Sequence, residues 1–183
     1  MTKKDTTGFL PDGYKEPEGN YMKFQEGENI FRVLSSAVTG YEYWNTDTKP
    51  VRAKEAWTTT PADIKCDKDG KPTGIKHFWV FAVWNYMAEK VQILEVTQKG
   101  IMSSMKANIS NEKWGDPKTY DFIVTKSGSG FDTSYIVSVN PKSDAPKVDF
   151  NINLEALFDG GDPFASKEAT EAEAKAAAEF EGK

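Results

Sequence analysis

One cysteine, one histidine and two arginines in 183 residues set aside several functions before any motif is sought. Cys66 has no second cysteine to pair with, so no internal disulfide forms and a reducing compartment is expected. Cys66 and His77 together fall short of the four ligands of a structural zinc site. A Ser-His-Asp or Cys-His catalytic set would have to use His77, which lies within a run of bulky aromatics. There it reads better as a strand residue with an ordinary hydrogen-bond partner. Walker-type and G-x-G-x-x-G phosphate loops are missing. Carboxylates are plentiful but scattered, so no catalytic pair is nominated, and a metal site built only of carboxylates stays open. The expectation is a protein that is not an enzyme and needs no cofactor. No apolar run approaches the length of a membrane span, and Met1 to Thr7 has no apolar core of a secretory signal.

What the chain does have is rings. Aromatics make up 13% of it, including five Trp and eleven Phe, which argues against global disorder. The densest stretch is Lys76-His-Phe-Trp-Val-Phe-Ala-Val-Trp-Asn-Tyr86. Read at a period of two, Phe78, Val80, Ala82, Trp84 and Tyr86 share one face, and His77, Trp79, Phe81, Val83 and Asn85 the other. Both faces are apolar. Such a strand is either buried on both sides, or buried on one side while offering flat rings to a ligand on the other.

Around it the pattern is mostly β. Ile30–Ser36, Tyr41–Trp44 and Val51–Trp57 precede the central strand, and Val91–Thr97 follows it as a hairpin partner. Ile101, Met105 and Ile109, with Met102 beside them, mark one amphipathic helix starting at Thr97 or Gln98. Thr119–Lys126 and Thr133–Val139 are then joined as a hairpin across Ser127–Asp132, and Asn140-Pro141 closes the sheet. Strands, a helix and a final hairpin fit a Greek-key barrel of OB type, although a small sandwich with one helix would read the same way.

The net charge is −5, but its distribution matters more than its sum. Asp159 to Lys183 carries seven acids and three lysines, which leaves the rest of the chain close to neutral. Lys49 to His77 holds seven cations (Lys49, Arg52, Lys54, Lys65, Lys68, Lys71, Lys76) against four acids, directly before the aromatic strand. Binding single-stranded nucleic acid takes a cationic groove for phosphates and flat rings for bases. Arg32, Arg52, Lys54 and Lys76, with Trp44, Trp57 and Trp79, are the candidate nucleic-acid-binding residues. Trp84 and Trp114 are the tryptophans expected in the core.

Four stretches carry a family resemblance: Gly27-Glu-Asn-Ile-Phe-Arg-Val-Leu-Ser-Ser36, Lys76 to Asn85, Gln92-Ile-Leu-Glu-Val-Thr-Gln98 and Trp114-Gly-Asp-Pro-Lys-Thr-Tyr-Asp121. The hairpin Lys126 to Tyr135 continues it. Over residues 27 to about 142 the chain resembles bacteriophage-encoded single-stranded DNA-binding proteins with an OB fold. The resemblance implies a five-stranded barrel with one helix that coats unwound DNA during replication and recombination. It also implies an acidic C-terminal tail that contacts phage or host replication proteins, with Asp162, Phe164, Glu179, Phe180 and Glu181 as the partner-binding candidates. The tail departs from the family pattern, since its acids are interleaved with alanines and it ends Phe180-Glu-Gly-Lys. A zinc insertion, as some relatives carry, is ruled out by the Cys and His counts.

The expected organisation is an irregular lead-in at 1–26, an all-β, OB-type barrel domain with one packed α-helix at 27–158, and a flexible acidic tail at 159–183. The protein is expected in the host cell cytoplasm, with single-stranded DNA as partner and no membrane. Two rivals remain, a phage structural or assembly β-barrel that binds protein, and an RNA-binding barrel, since stacking alone does not distinguish ribose from deoxyribose.

Overall fold

A computed structural model describes residues 19–165, which hold seven strands and one α-helix. The strands are β1 (Gly27–Val33), β2 (Val38–Trp44), β3 (Pro50–Ala53), β4 (Lys76–Asn85), β5 (Lys90–Val96), β6 (Asp121–Ser127) and β7 (Ser134–Val139), with α1 (Lys99–Ile109) between β5 and β6. All pairings between these strands are antiparallel. The aromatic run is the hub. On one edge β4 pairs first with β2 (Thr39 opposite Trp79) and then with β1 (Val33 opposite Val83). On its other edge it pairs with β5, Trp79 opposite Val96 and Val83 opposite Gln92. β1 and β2 therefore act as one long strand with a bulge at residues 34–37. There the Ala82 N–H donates to Ser35 Oγ at 2.9 Å, so a hydroxyl replaces a missing ladder carbonyl.

The sheet runs β3-β2-β4-β1-β6-β7, with β5 attached to β4, and no strand pairing joins its ends among the described residues. The closed barrel expected from the strand order is thus an open sheet. α1 lies against β7, the end strand of the sheet, and it is side chains of this helix, Ile101, Met102 and Met105, that fill the main core there.

At its centre, Val80 to Val83, β4 is buried on both sides, and the two sides belong to different cores. Phe81 and Val83 point into the main core with Phe31, Phe122, Leu94 and the α1 residues. Phe78 and Val80, on the opposite face, form a second core with Ile93, Leu154 and Leu157. The cover for this second face is the segment 152–164, in which Leu154–Phe158 forms a 3-10 turn. The segment is pinned by the Asn153 N–H donating to the Pro163 carbonyl at 2.8 Å. Burying Leu154 and Leu157 contributes about 1.5–3 kcal/mol each. The exposed Lys54–Glu155 ion pair at its margin contributes about 0–1 kcal/mol. Apolar burial therefore holds the segment down, not charge. Gly40 makes room for it: a Cβ there would stand 2.9 Å from both Phe158 and Phe78 and 2.6 Å from the Ala53 carbonyl oxygen.

Both expected domain boundaries move outward. Asn20–Met22 runs beside β5, with Met22 N–H donating to the Ile93 carbonyl, and Phe24 packs against Phe31 and Tyr135. At the other end residues 159–165, expected as the start of a free tail, dock with Pro163 buried and Phe164 packed on the second core. Residues 1–18 and 166–183 lie outside the described residues.

Candidate nucleic-acid interface

Because alternate residues of a strand point to opposite faces, the seven candidate residues are not brought into one groove. Arg32 leaves the group altogether. It is fully buried, with Nε donating to Asp121 Oδ1 at 2.7 Å, Nη1 to the carbonyls of Lys118 and Ser143, and Nη2 to Ser143 Oγ. A guanidinium with no exposed surface and its donors engaged cannot reach a phosphate, so the expectation for Arg32 is corrected: it ties β1 to β6 and to the chain beyond β7. Asp121 Oδ1 also accepts the Tyr86 hydroxyl proton at 2.9 Å, and burial, then this bond, pushes the Tyr86 phenol up to about 12.

Arg52 and Lys54 sit on the side of the sheet that faces the 152–164 segment. Arg52 donates to Glu42 Oε2 at 3.2 Å and to Glu95 Oε2 at 3.3 Å. Lys54 pairs with Glu155 at 2.7 Å and lies 5.5 Å from the Phe158 ring centre. Trp44, 43% exposed, and Lys76 share that side at its rim, as their register with Pro50 and Glu42 requires.

Glu42 and Glu95 place two carboxylates around one arginine. Glu95 Oε1 is buried with no donor among the described residues. A proton on the neighbouring Glu42 carboxyl would supply one. Burial raises the Glu42 carboxyl, as do the hydrogen bond to Glu95 and its charge, against the opposing pull of Arg52, to about 8. The unfolded chain has its ordinary value of 4.5, so between these two pH values the folded state holds a proton that the unfolded state releases. The stabilisation from this group is therefore complete below pH 4.5 and is lost as pH rises towards and through 8. Urea midpoints should fall between pH 5 and pH 9 in the native chain, and fall less in Glu42→Gln, whose amide donates at either pH. Parallel curves for the two proteins would show that Glu42 titrates normally.

The other face carries the rings. Trp57 packs edge-on against Tyr43, with ring centres 4.9 Å apart at 77°, and the Tyr43 hydroxyl donates to Asp63 Oδ1 at 2.7 Å. Two residues along β2, Tyr41 lies 4.9 Å from His77 across the strand pair. The His77 Nδ1–H donates to the Gly40 carbonyl at 2.8 Å, the ordinary partner expected for this residue. Two residues along β4 comes Trp79, half-buried, where the face passes into the main core. The row Tyr43–Tyr41–His77–Trp79 is thus set by the period-2 pleat of two paired strands, and Trp57 joins its end from the segment after β3.

Beyond Trp79 the row opens into a cleft of about 420 Å³ between the bulge at 34–37, α1 and the 3-10 turn Pro117–Thr119. At the opposite end an arm, residues 45–75, folds back on β2 through Lys65 N–H donating to the Trp44 carbonyl and an Asp67–Lys71 turn. Lys65, Lys68 and Lys71 on this arm are exposed and form no ion pair with a described residue.

No family model matches the chain, and no solved structure does. A phage protein is similar. It is the probable ssDNA-binding protein of Escherichia phage T5, 29% identical over 158 residues, a match that takes in 73% of this chain. The chain spans 58% of that relative's length.

Sequence reasoning missed Tyr41, which period-2 reading of Tyr41-Glu-Tyr-Trp44 places beside Tyr43 and opposite Trp44. It also missed Lys118 at the cleft, for which no local signal exists. Trp114 packs against Tyr120 at the edge of the main core as expected, whereas Trp84 is half-buried and belongs to neither core. Asp162 is exposed, and its side chain accepts the Phe164 N–H. Glu179, Phe180 and Glu181 lie outside the described residues. No helix among the described residues is long and apolar enough to cross a membrane.

Proposed function

We propose that this protein binds single-stranded DNA without sequence preference and without catalysis, coating unwound phage DNA during replication and recombination in the host cytoplasm. The observation that carries the reading is the row of rings from Trp57 to Trp79, in a fold whose 45–75 arm also exposes Lys65, Lys68 and Lys71. Successive bases stack on Trp57, on the Tyr41–His77 pair and on Trp79, while Lys65, Lys68 and Lys71 meet phosphates. The resemblance to a phage protein named for this activity supports it. In this reading the open sheet with its inserted helix is an OB-type barrel whose gap α1 fills. Trp44, Lys76, Arg52 and Lys54 take a secondary part, the last two only after giving up carboxylate partners. The acidic tail, including Glu179, Phe180 and Glu181, contacts replication proteins, with Asp162 and Phe164 at its anchored root.

Titration of tryptophan emission with oligo(dT), duplex DNA and poly(U) tests the reading. Single strands should quench emission and bind far more tightly than duplex, whose bases are covered. Affinity should fall with salt at a log–log slope of about −0.7 for each phosphate neutralised. Equal affinity for duplex and oligo(dT) would overturn the stacking account, and a preference for poly(U) would move the assignment to RNA.

A further inference from the structure

We infer that the cleft beyond Trp79 is a seat for one nucleobase, turned out of the bound strand and inserted between β4 and α1. The inference rests on the single-strand reading above and adds to it a site of a different kind, since a surface ring offers a base one face whereas this cleft takes it between the sheet and the helix.

The apolar stripe of α1 does not end in the core. Ile101 and Met105 are buried, but Ile109, next on the same face, is 37% exposed at the cleft mouth. Opposite it stand Trp79 and Phe81, so the walls are an indole and a phenyl ring on one side and a thioether and a branched alkyl chain on the other. A flat, polarisable heterocycle fits between them, with one face on the indole. At about 420 Å³ the cleft falls within the roughly 300–1,000 Å³ of small-ligand sites.

Polar groups are few and lie at the margins, where the edge of a base would reach them. Ser36 and Thr39, both exposed, border the cleft from the bulge and from β2. Asp116 and Lys118 lie on the far side. Asp116 Oδ1 accepts the Lys118 N–H at 3.0 Å, which fixes the turn and leaves the lysine ammonium for the phosphate of the inserted nucleotide. An aliphatic peptide side chain would fill the apolar walls but would leave that ammonium unused. The cleft is also continuous with the row of rings, because Trp79 belongs to both.

The test uses the full chain and (dT) oligonucleotides carrying one 2-aminopurine. Binding should shield that fluorophore from acrylamide in the native protein. Ala37→Phe fills the exposed side of the cleft and Ile109→Phe its helical side, and neither removes a charge. Each should weaken (dT) binding by roughly five- to a hundredfold and restore acrylamide access, with the salt slope unchanged. Thermal unfolding of both variants establishes that the fold survives; either one suffices if the other misfolds. A folded variant that binds and shields as the native chain does would overturn the inference and leave the single-strand reading in place. A native chain that binds no oligonucleotide would overturn both.

Discussion

Replacing Arg32 with Ala is expected to cost about 3–5 kcal/mol of folding stability, the usual loss when one partner of a buried ion pair is removed. The guanidinium has no exposed surface, and Asp121 beside it is 14% exposed. Its loss leaves the carboxylate, among the described residues, with the Tyr86 hydroxyl alone, and two main-chain carbonyls without their donor. Arg32→Lys should recover little, because one ammonium cannot serve partners arranged around a planar fork. Urea denaturation of the three proteins gives the comparison. DNA binding supplies the control: any folded fraction of Arg32→Ala should keep the native salt slope. A stable variant with a reduced slope would return Arg32 to the phosphate-binding set.

The second large effect concerns Trp79. Its removal should weaken oligo(dT) binding by about 1–3 kcal/mol, because the ring serves both the stacking row and the cleft. Trp44→Ala, on the opposite side of the sheet, should lose much less. Trp79 also packs against the main core, so Trp79→Phe is the needed companion. It keeps a ring and should keep part of the affinity, with the fold intact by thermal melting. Equal losses in Trp44→Ala and Trp79→Ala would mean that the strand wraps both sides of the sheet, and that the 152–164 segment moves when it does.

The elements were legible in the sequence because their periods are clean. The central strand, its hairpin with β5, the helix face of Ile101 and Met105 and the last hairpin all follow from local pattern. Both alternatives for β4 were legible and each holds for part of the strand: Phe81 and Val83 are buried on the face where His77 and Trp79 stay accessible, and the other face is covered by residues 152–164, some seventy positions later, whose mixed pattern gave no sign of what they cover. The arginines show the same limit. Residue type marked Arg32 and Arg52 as phosphate ligands, but their partners Asp121, Ser143 and Glu95 are 89, 111 and 43 residues distant. Charge neutralisation at that range is a property of the fold. The open sheet was illegible for a related reason, since strand order fixes neighbours but does not say whether a helix takes the closing position.

The late position of the segment that covers Phe78, Val80 and Ile93 sets an order of events during synthesis. Domains fold as the chain emerges, N-terminal parts first. β2, β4 and β5 can pair as soon as residue 96 is free, but one face of that sheet stays bare until Leu154 and Leu157 arrive. β1 waits as well, with one edge open until β6 is made. A ribosome paused between these points holds a chain with an exposed apolar sheet face and an unpaired strand edge. Those are the surfaces that chaperones capture and through which unfinished chains aggregate. The yield of soluble protein is therefore governed by the late-made segment 152–164 as much as by the aromatic strand at the centre.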